Sequence, residues 1–260
     1  MTTPAAVRAT YRDLVHYRRI WKAGLVASLV QPLLYLLGIG LGVGELVDQG
    51  TDSAALLEGA SYFAFYSSAL LATTAMFTAS QESLWPTMDG FMWSNGYRAM
   101  TATPIEPRDV AAGVQLYHAI RIAIGAAGVA VVLAFFDETR TWGLVAGVPA
   151  AVLTGMAFST PLSAWTATRV ADQSFPAIMR FVITPMFLFG GAFYPIDQLP
   201  AALRPVAWIT PLWHGVELSR GAVLGGLSAG RAVMHIAVLL LFTGVGWVAC
   251  AITFRRRLYG

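Results

Sequence analysis

Reactive groups are few in this 260-residue chain, and their spacing argues against most chemistry. There is a single lysine, Lys22, and no Gly-x-x-x-x-Gly precedes it. A phosphate-binding P-loop needs that lysine on the β- and γ-phosphates, so the chain does not hold ATP in the Walker manner. The four histidines, His16, His118, His214 and His235, stand far apart and form no His-Glu-x-x-His. Gly226-Leu227-Ser228-Ala229-Gly230 matches Gly-x-Ser-x-Gly but lacks the strand before and the helix geometry after that make a nucleophile elbow; it reads as a flexible loop. Cys250 is the only cysteine, which excludes an intrachain disulfide and any Cys-based metal site. No catalytic, metal or cofactor site is expected in the chain itself. The carboxylates all lie in loops or near the ends of apolar runs, which disfavours a proton-driven carrier. Arg121 and Arg180 remain, each one or two turns inside the inner end of an apolar run. An arginine at mid-bilayer costs roughly 2.5–3.5 kcal/mol. Near an end it snorkels to the headgroups; the alternative is that it lines a substrate path.

These groups are positioned by long apolar segments. Hydrophobic residues make up 57% of the chain and charged residues 12%, with a mean hydropathy of +0.62. Four stretches, Ala23–Gly44, Gly59–Gln81, Thr141–Thr168 and Ala232–Phe254, contain no Asp, Glu, Lys or Arg. Ile122–Phe136 and Phe181–Ile196 come close. Crossing the hydrocarbon core takes roughly 20 apolar residues of helix, and the runs are far longer than barrel strands. The expected fold is an all-α polytopic membrane protein forming a single domain over 1–260. Six transmembrane helices are expected at about 23–44, 59–81, 113–136, 142–165, 174–194 and 232–254.

With both ends inside, 13 of the 17 Lys and Arg fall on the cytoplasmic side, as the positive-inside bias requires. The first outer loop, Glu45 to Glu58, has four acids and no base. Topology accounts for the basic ends, so no nucleic-acid partner is expected.

Residues 5–22 read as an amphipathic interface helix: Val7, Tyr11, Leu14, Val15 and Trp21 recur near 3.6 residues, with Arg8, Arg12, Arg19 and Lys22 between them. It is either a topogenic anchor or a helix that also touches a cytosolic partner, with Arg12, Arg18, Arg19 and Trp21 as its candidate residues. Gly38, Gly40, Gly42 and Gly44 give two overlapping Gly-x-x-x-Gly spacings, for packing within the chain or at a dimer seam. The inner segment 82–104 mixes Glu82, Asp89 and Arg98 with Trp85, Phe91, Trp93 and Tyr97. It reads as a short helix at the inner surface, suited to docking protein or serving as an aromatic belt. The outer segment 195–231 holds an apolar core too short to span, with Pro205, Trp208, Pro211 and Trp213. It reads as re-entrant or interfacial half-helices over a central path, because non-helical backbone at membrane depth must be shielded by protein or face water.

The sequence resembles the permease subunits of ABC-2 type exporters, close to the NodJ-like lipooligosaccharide and daunorubicin-resistance group. The likeness runs through Tyr17-Arg18-Arg19-Ile20-Trp21, Gln31-Pro32-Leu33-Leu34-Tyr35-Leu36, Thr101-Ala102-Thr103-Pro104-Ile105, Phe189-Gly190-Gly191-Ala192-Phe193-Tyr194-Pro195-Ile196, Leu199-Pro200 and Thr210-Pro211-Leu212-Trp213-His214-Gly215, with Arg220 beyond. It covers nearly the whole chain. The resemblance implies six spans, an N-terminal amphipathic helix, a cytoplasmic coupling helix between spans two and three, and extracellular re-entrant helices between spans five and six. It implies two cytosolic ABC ATPase subunits holding ATP and Mg, and a second permease subunit, taken as the same chain, in a bacterial plasma membrane with both termini cytoplasmic. On that expectation Glu82, Asp89, Phe91, Trp93 and Arg98 contact the ATPase. Arg121, Arg180, Phe193, Tyr194, Pro195, Trp208, Trp213 and His214 border the path or gate. The cargo expected is amphipathic or lipid-linked: a glycolipid, a polysaccharide or a hydrophobic drug. The rival readings are a non-transporting membrane scaffold and an intramembrane enzyme using Ser228 or His214.

Overall fold

The computed structural model describes residues 4–49, 57 and 59–260, and among these every regular element is helical. Residues 50–56 and 58 of the acid-rich first outer loop lie outside the described residues. α1 (Ala5–Tyr35) continues through a wide π-helical stretch, Leu36–Val43, into α2 (Gly44–Asp48). α3 (Tyr62–Met88) returns and is followed by a π turn, Asp89–Trp93, and α4 (Gly96–Thr101). α5 (Pro107–Leu133) and α6 (Gly143–Thr166) form a hairpin. Next come α7 (Phe175–Ile178), a π turn at Met179–Ile183 and α8 (Thr184–Phe189). Beyond a short 3-10 turn lie α9 (Arg204–Ile209), α10 (Pro211–Leu224) and the long last helix α11 (Ala229–Tyr259). α5, α6 and α11 are each long and apolar enough to cross a membrane.

Helix starts follow capping chemistry. Ser61 caps α3 by accepting the Ala64 N–H at 3.2 Å, and Glu106 with Asp109 forms a capping box ahead of Pro107 on α5. Ser228 caps α11, so the hydroxyl of the Gly-x-Ser-x-Gly stretch closes a helix end.

α3 is the central helix, buried along nearly its whole length against α5, α6 and α10. Protein rather than lipid surrounds it, so it tolerates Ser67, Ser68, Thr73, Ser80 and Ser83; four of these return their hydroxyl protons to α3 carbonyls, while Ser83 reaches across to α6. Small residues set the close crossings. A side chain at Gly155 would strike Ile122, one at Gly246 would strike Thr160 and Pro161, and one at Gly215 would strike Thr154. One of the two Gly-x-x-x-Gly spacings is intramolecular: Gly40 and Gly44 pack against Phe63 and Tyr62, while a Cβ on Gly38 would meet nothing.

Two boundaries differ from the sequence expectation. No break separates 5–22 from the span that follows: α1 is one helix, laid parallel to α5 with Ala9 at Gly113, Gly24 at Arg121 and Leu29 at Gly128. No glycine or proline stands between Ala5 and Pro32 except Gly24, so nothing in the local sequence compels a corner. The fifth helical segment ends at Phe189 rather than near 194, because the chain turns at Gly191 with φ +79°. Phe175–Phe189 rises only about 22 Å at 1.5 Å per residue. α10 begins where α8 stops, with Leu212 against Gly190, and climbs past Thr154 toward Gly143 beside the outer end of α6. α10 is therefore packed within the bundle, against α3, α6 and α11.

Candidate functional site

Prolines shape the inner half. Pro86 has no N–H for the Glu82 carbonyl one turn back, and Thr87 Oγ1 donates to that carbonyl instead, at 3.1 Å. A π turn then carries the chain to Asn95, which adopts a left-handed conformation at φ 51° and reverses it into α4. Thr184 Oγ1 donates to Met179 O at 2.8 Å across the wide turn ahead of Pro185. Wide turns of this kind recur at functional sites.

Above the first of these turns, Arg121 of α5 donates through Nε to Glu82 Oε1 of α3 at 2.8 Å. Both residues are buried, 7% and 8% exposed. The Tyr17 ring of α1 stacks on the guanidinium, 4.2 Å from Cζ. Beside the pair runs a polar chain joining α3, α5 and α6. Ser159 Oγ donates to Gln115 Oε1 at 2.8 Å, Ser83 Oγ reaches Ser159 at 3.1 Å, and His118 Nδ1 meets Ser159 Oγ at 2.8 Å. Because the Ser159 proton is committed to Gln115, the hydrogen-bond pattern assigns the His118 proton to Nδ1.

Two spaces border the ion pair. An inner cavity of about 640 Å³ is lined by Asp13, Tyr17, Asp89, Tyr97 and Tyr117 among others. A narrower groove of about 80 Å³ lies between α1, α3 and α8, lined by Tyr35, Leu70, Thr74, Phe77, Gln81 and Phe187. Both are bordered by Gly24, Glu82 and Arg121. Asp13 is raised from 3.8 to about 6, chiefly by burial, which together with the nearby Glu82 and Asp89 carboxylates outweighs Arg12 and His16.

The inner hairpin is fixed to the ends of α6 and α11. Phe91 packs edge-on against Tyr97 at 4.8 Å and Phe254 at 4.7 Å. Arg257 lies 4.4 Å over the Phe91 ring and turns Nη1 onto the Thr166 and Ala167 carbonyls at 3.1 Å. Gly90 is required there, since a Cβ would fall 2.1 Å from the Tyr97 ring. Arg12 reaches the hairpin from α1 and donates to Ser94 Oγ at 3.3 Å.

The outer segment packs through α10 against α3, α6 and α11. His214 Nε2 donates to the Trp208 carbonyl at 2.9 Å, so in the neutral pair its Nδ1 accepts from His235 Nδ1 at 2.8 Å. Trp213 packs edge-on against both rings. Glu217 binds Arg220 at 2.9 Å and Arg231 at 3.1 Å, and Arg220 donates to Gly191 O at 2.8 Å.

The structure sorts the sequence candidates. Trp93 (58% exposed) and Arg98 are displayed at the inner end, with Asp89 half-buried between them. Glu82 and Phe91 are buried inside and offer no surface to a partner: Glu82 faces Arg121, and Phe91 fills the aromatic cluster. Arg18, Arg19 and Trp21 are exposed on α1, and Arg12 is half-buried at the hairpin. Arg121 neither snorkels nor stands open, because it is paired; Arg180 is exposed on the π turn of the fifth segment. Phe193 packs between Tyr66 and Phe187, Tyr194 and Trp213 flank the Ile196–Leu199 cluster, and Pro195 opens the 3-10 turn. Trp208 is half-exposed on α9. The Ser228 and His214 enzyme reading finds no nucleophile–base pair: Ser228 caps a helix and His214 is engaged by His235 and Trp208. Tyr17, Ser83, Gln115, Ser159, Glu217, Arg231 and Arg257 carry contacts that the sequence reading did not assign.

The fold thus defines an all-helical protein of the membrane class, with α5, α6 and α11 each long and apolar enough to cross a bilayer. Comparison with known proteins agrees in class. The ABC-2 type transporter family model matches residues 6–224, and the chain belongs to that family. It is 29% identical over 247 residues to Nodulation protein J of Rhizobium leguminosarum bv. viciae, covering 95% of this chain and 92% of that protein. Nodulation protein J of Rhizobium meliloti is also 29% identical, with 95% and 91% coverage. The inner membrane transport permease YadH of Escherichia coli is 23% identical over 250 residues, with 94% and 93% coverage. Membership implies an ABC ATPase subunit as partner and makes the chain a permease subunit rather than an enzyme.

Proposed function

We propose that this chain is the membrane half of an ATP-powered exporter, in which two copies assemble with two cytosolic ATPase subunits and pass an amphipathic molecule out of the cell. One observation carries the reading: an inner cavity and a groove between α1, α3 and α8 both border on Glu82–Arg121. The stroke would enter through the hairpin that displays Asp89, Trp93 and Arg98. That hairpin is bonded to the end of α6 through Arg257, so displacing it also loads α6 and α11. α10 would serve as the outer gate. The distribution of basic residues supports a plasma-membrane orientation with both termini inside.

The test is co-expression with a candidate ATPase, purification and reconstitution into vesicles. The expected outcome is a stable complex with ATP-dependent flux of a labelled amphiphile. Absence of both would leave a non-transporting scaffold as the better reading. Within that complex, Arg98→Glu should uncouple hydrolysis from flux or weaken ATPase association while insertion stays normal. Unchanged flux and association would remove Arg98 from the contact.

A further inference from the structure

The α5–α6 hairpin carries a wider groove near its turn. Ala127, Ala130 and Ala134 fall on one face of α5 at i, i+3 and i+7, and their short side chains line it together with Leu144, Val145 and Val148 of α6. The space is about 750 Å³, inside the roughly 300–1,000 Å³ of ligand clefts. From Ala127 to Ala134 it runs about 10 Å along α5 at 1.5 Å per residue, so it takes the upper part of one acyl chain. Val131 and Val145 on its rims are exposed, which opens the groove sideways toward lipid.

The turn end of the groove is charged, and with both signs. Arg140 lines the mouth and contacts Asp137 Oδ1 through Nη2 at 2.8 Å. Neither side chain has a further partner among the described residues, and both are mostly exposed. The neighbouring Glu138 is engaged by the Ser61 hydroxyl. Trp142, 92% exposed, stands on the same mouth. An indole placed so sits at headgroup level, its ring toward lipid and its N–H toward the interface. A free anion would meet Arg140 and be repelled by Asp137; a free cation would meet the reverse. Neither would fill the apolar trough. An amphiphile whose head carries both charges satisfies all three features.

We infer that this groove binds a zwitterionic phospholipid with a primary ammonium: one acyl chain lies along the α5 alanines, the phosphate sits on the open edge of Arg140, and the ammonium sits on Asp137. The guanidinium fork takes a phosphate through parallel N–H donors, and the Nη2 contact to Asp137 stays in place. A primary ammonium brings three N–H donors to the carboxylate, whereas a trimethylated one brings none. Thr141, on the same turn, donates to the Val223 carbonyl of α10 at 3.0 Å, so the lipid seats beside a contact that anchors α10. The site stands whether or not the chain exports anything.

The experiment titrates the delipidated chain in dodecyl maltoside with dilauroyl phosphatidylethanolamine, phosphatidylcholine and phosphatidylglycerol, reading the affinity of the first bound lipid by native mass spectrometry. Wild type should bind the ethanolamine lipid about two- to five-fold more tightly than the other two, the range of one exposed ionic contact. Asp137→Asn should bring the ethanolamine and choline lipids to equal affinity. Arg140→Gln should weaken both, by a similar factor. Ala130→Phe, which fills the trough, should weaken all three lipids several-fold. Equal binding of the three lipids by wild type overturns the proposal, as does an ethanolamine preference that survives Asp137→Asn. Tighter binding of the glycerol lipid would show a plain anion site and overturn it too. If Ala130→Phe does not fold, Ala127→Phe at the exposed end of the same groove takes its place, and undiminished binding there places the lipid elsewhere on the protein.

Discussion

Glu82–Arg121 at the inner end and Glu217–Arg220–Arg231 at the outer end are both carboxylate–guanidinium contacts of 2.8–3.1 Å, yet their surroundings differ. The inner pair joins two long helices, is sealed by Tyr17 and borders both cavities. The outer cluster ties a short helix to its neighbours through one shared carboxylate, with Arg231 largely exposed. Arg220 there lies 3.7 Å over the Phe65 ring of α3 and holds the Gly191 turn, so one arginine links the fifth segment, α10 and the central helix. The inner end is built to keep charge out of water. The outer end shares one carboxylate between a buried partner, Arg220, and an exposed one, Arg231, so only part of it is open to water.

Breaking the inner pair should have the largest effect. Arg121→Ala leaves Glu82 buried without its partner, and such losses run to about 3–5 kcal/mol. Thermal unfolding in mild detergent should show a drop of several degrees or failure to accumulate. Glu82→Gln combined with Arg121→Gln should recover most of it. If Arg121→Ala melts like wild type, the pair is not sealed as described, and the contrast between the two ends disappears.

A second, smaller effect belongs to the inner cavity. Asp13 has a carboxyl raised to about 6 in the fold, against 3.8 unperturbed. The folded state therefore binds the proton more tightly than the unfolded state does. Its contribution to stability is intact below about 3.8, is lost as pH rises toward 6, and the full penalty remains above that. Asp13→Asn should stabilise the protein at pH 7 by about 1–2 kcal/mol, part of the linkage term being offset by the lost Arg12 contact. The variant should also flatten the melting temperature between pH 4 and 6. A wild-type melting temperature that rises over that interval, with no change on substitution, would show that burial does not govern this carboxyl.

Much of this arrangement was legible in the sequence, but unevenly. Apolar run length located the long helices, and the Pro- and Trp-rich stretch after Tyr194 falls on two short helices, α9 and α10. The positions of Glu82 and Arg121 were legible; their partnership was not read. Each was assigned alone, Glu82 to a cytosolic surface because it follows the charge-free run, and Arg121 to snorkelling or a path. The physical signal was available: opposite charges near the inner ends of adjacent antiparallel spans find each other rather than lipid. The Ser83–Ser159–Gln115–His118 chain was beyond reach, because it depends on which faces of three helices meet. Arg257 was hidden among Arg255 and Arg256, where only the helical phase of α11 decides which of the three turns inward.

The smallest effect tests the outer end. Arg231 is more than half exposed, so its bond to Glu217 is screened by water and salt, and exposed pairs contribute about 0–1 kcal/mol. Arg231→Gln should thus leave the melting temperature nearly unchanged, within a degree or two. Its consequence should lie elsewhere. Glu217 would still hold Arg220, so α10 stays docked, but the link from α10 to the start of α11 is lost. If α10 is the gate, that link favours the closed position, and weakening it should raise basal ATP hydrolysis or passive leak in the reconstituted complex by a few-fold. The salt dependence of leak in wild type should approach the variant's value at high ionic strength, where the pair is screened anyway. A large loss of stability with no change in leak would mean that the outer cluster, like the inner pair, is a structural clamp, and that the two ends differ only in exposure.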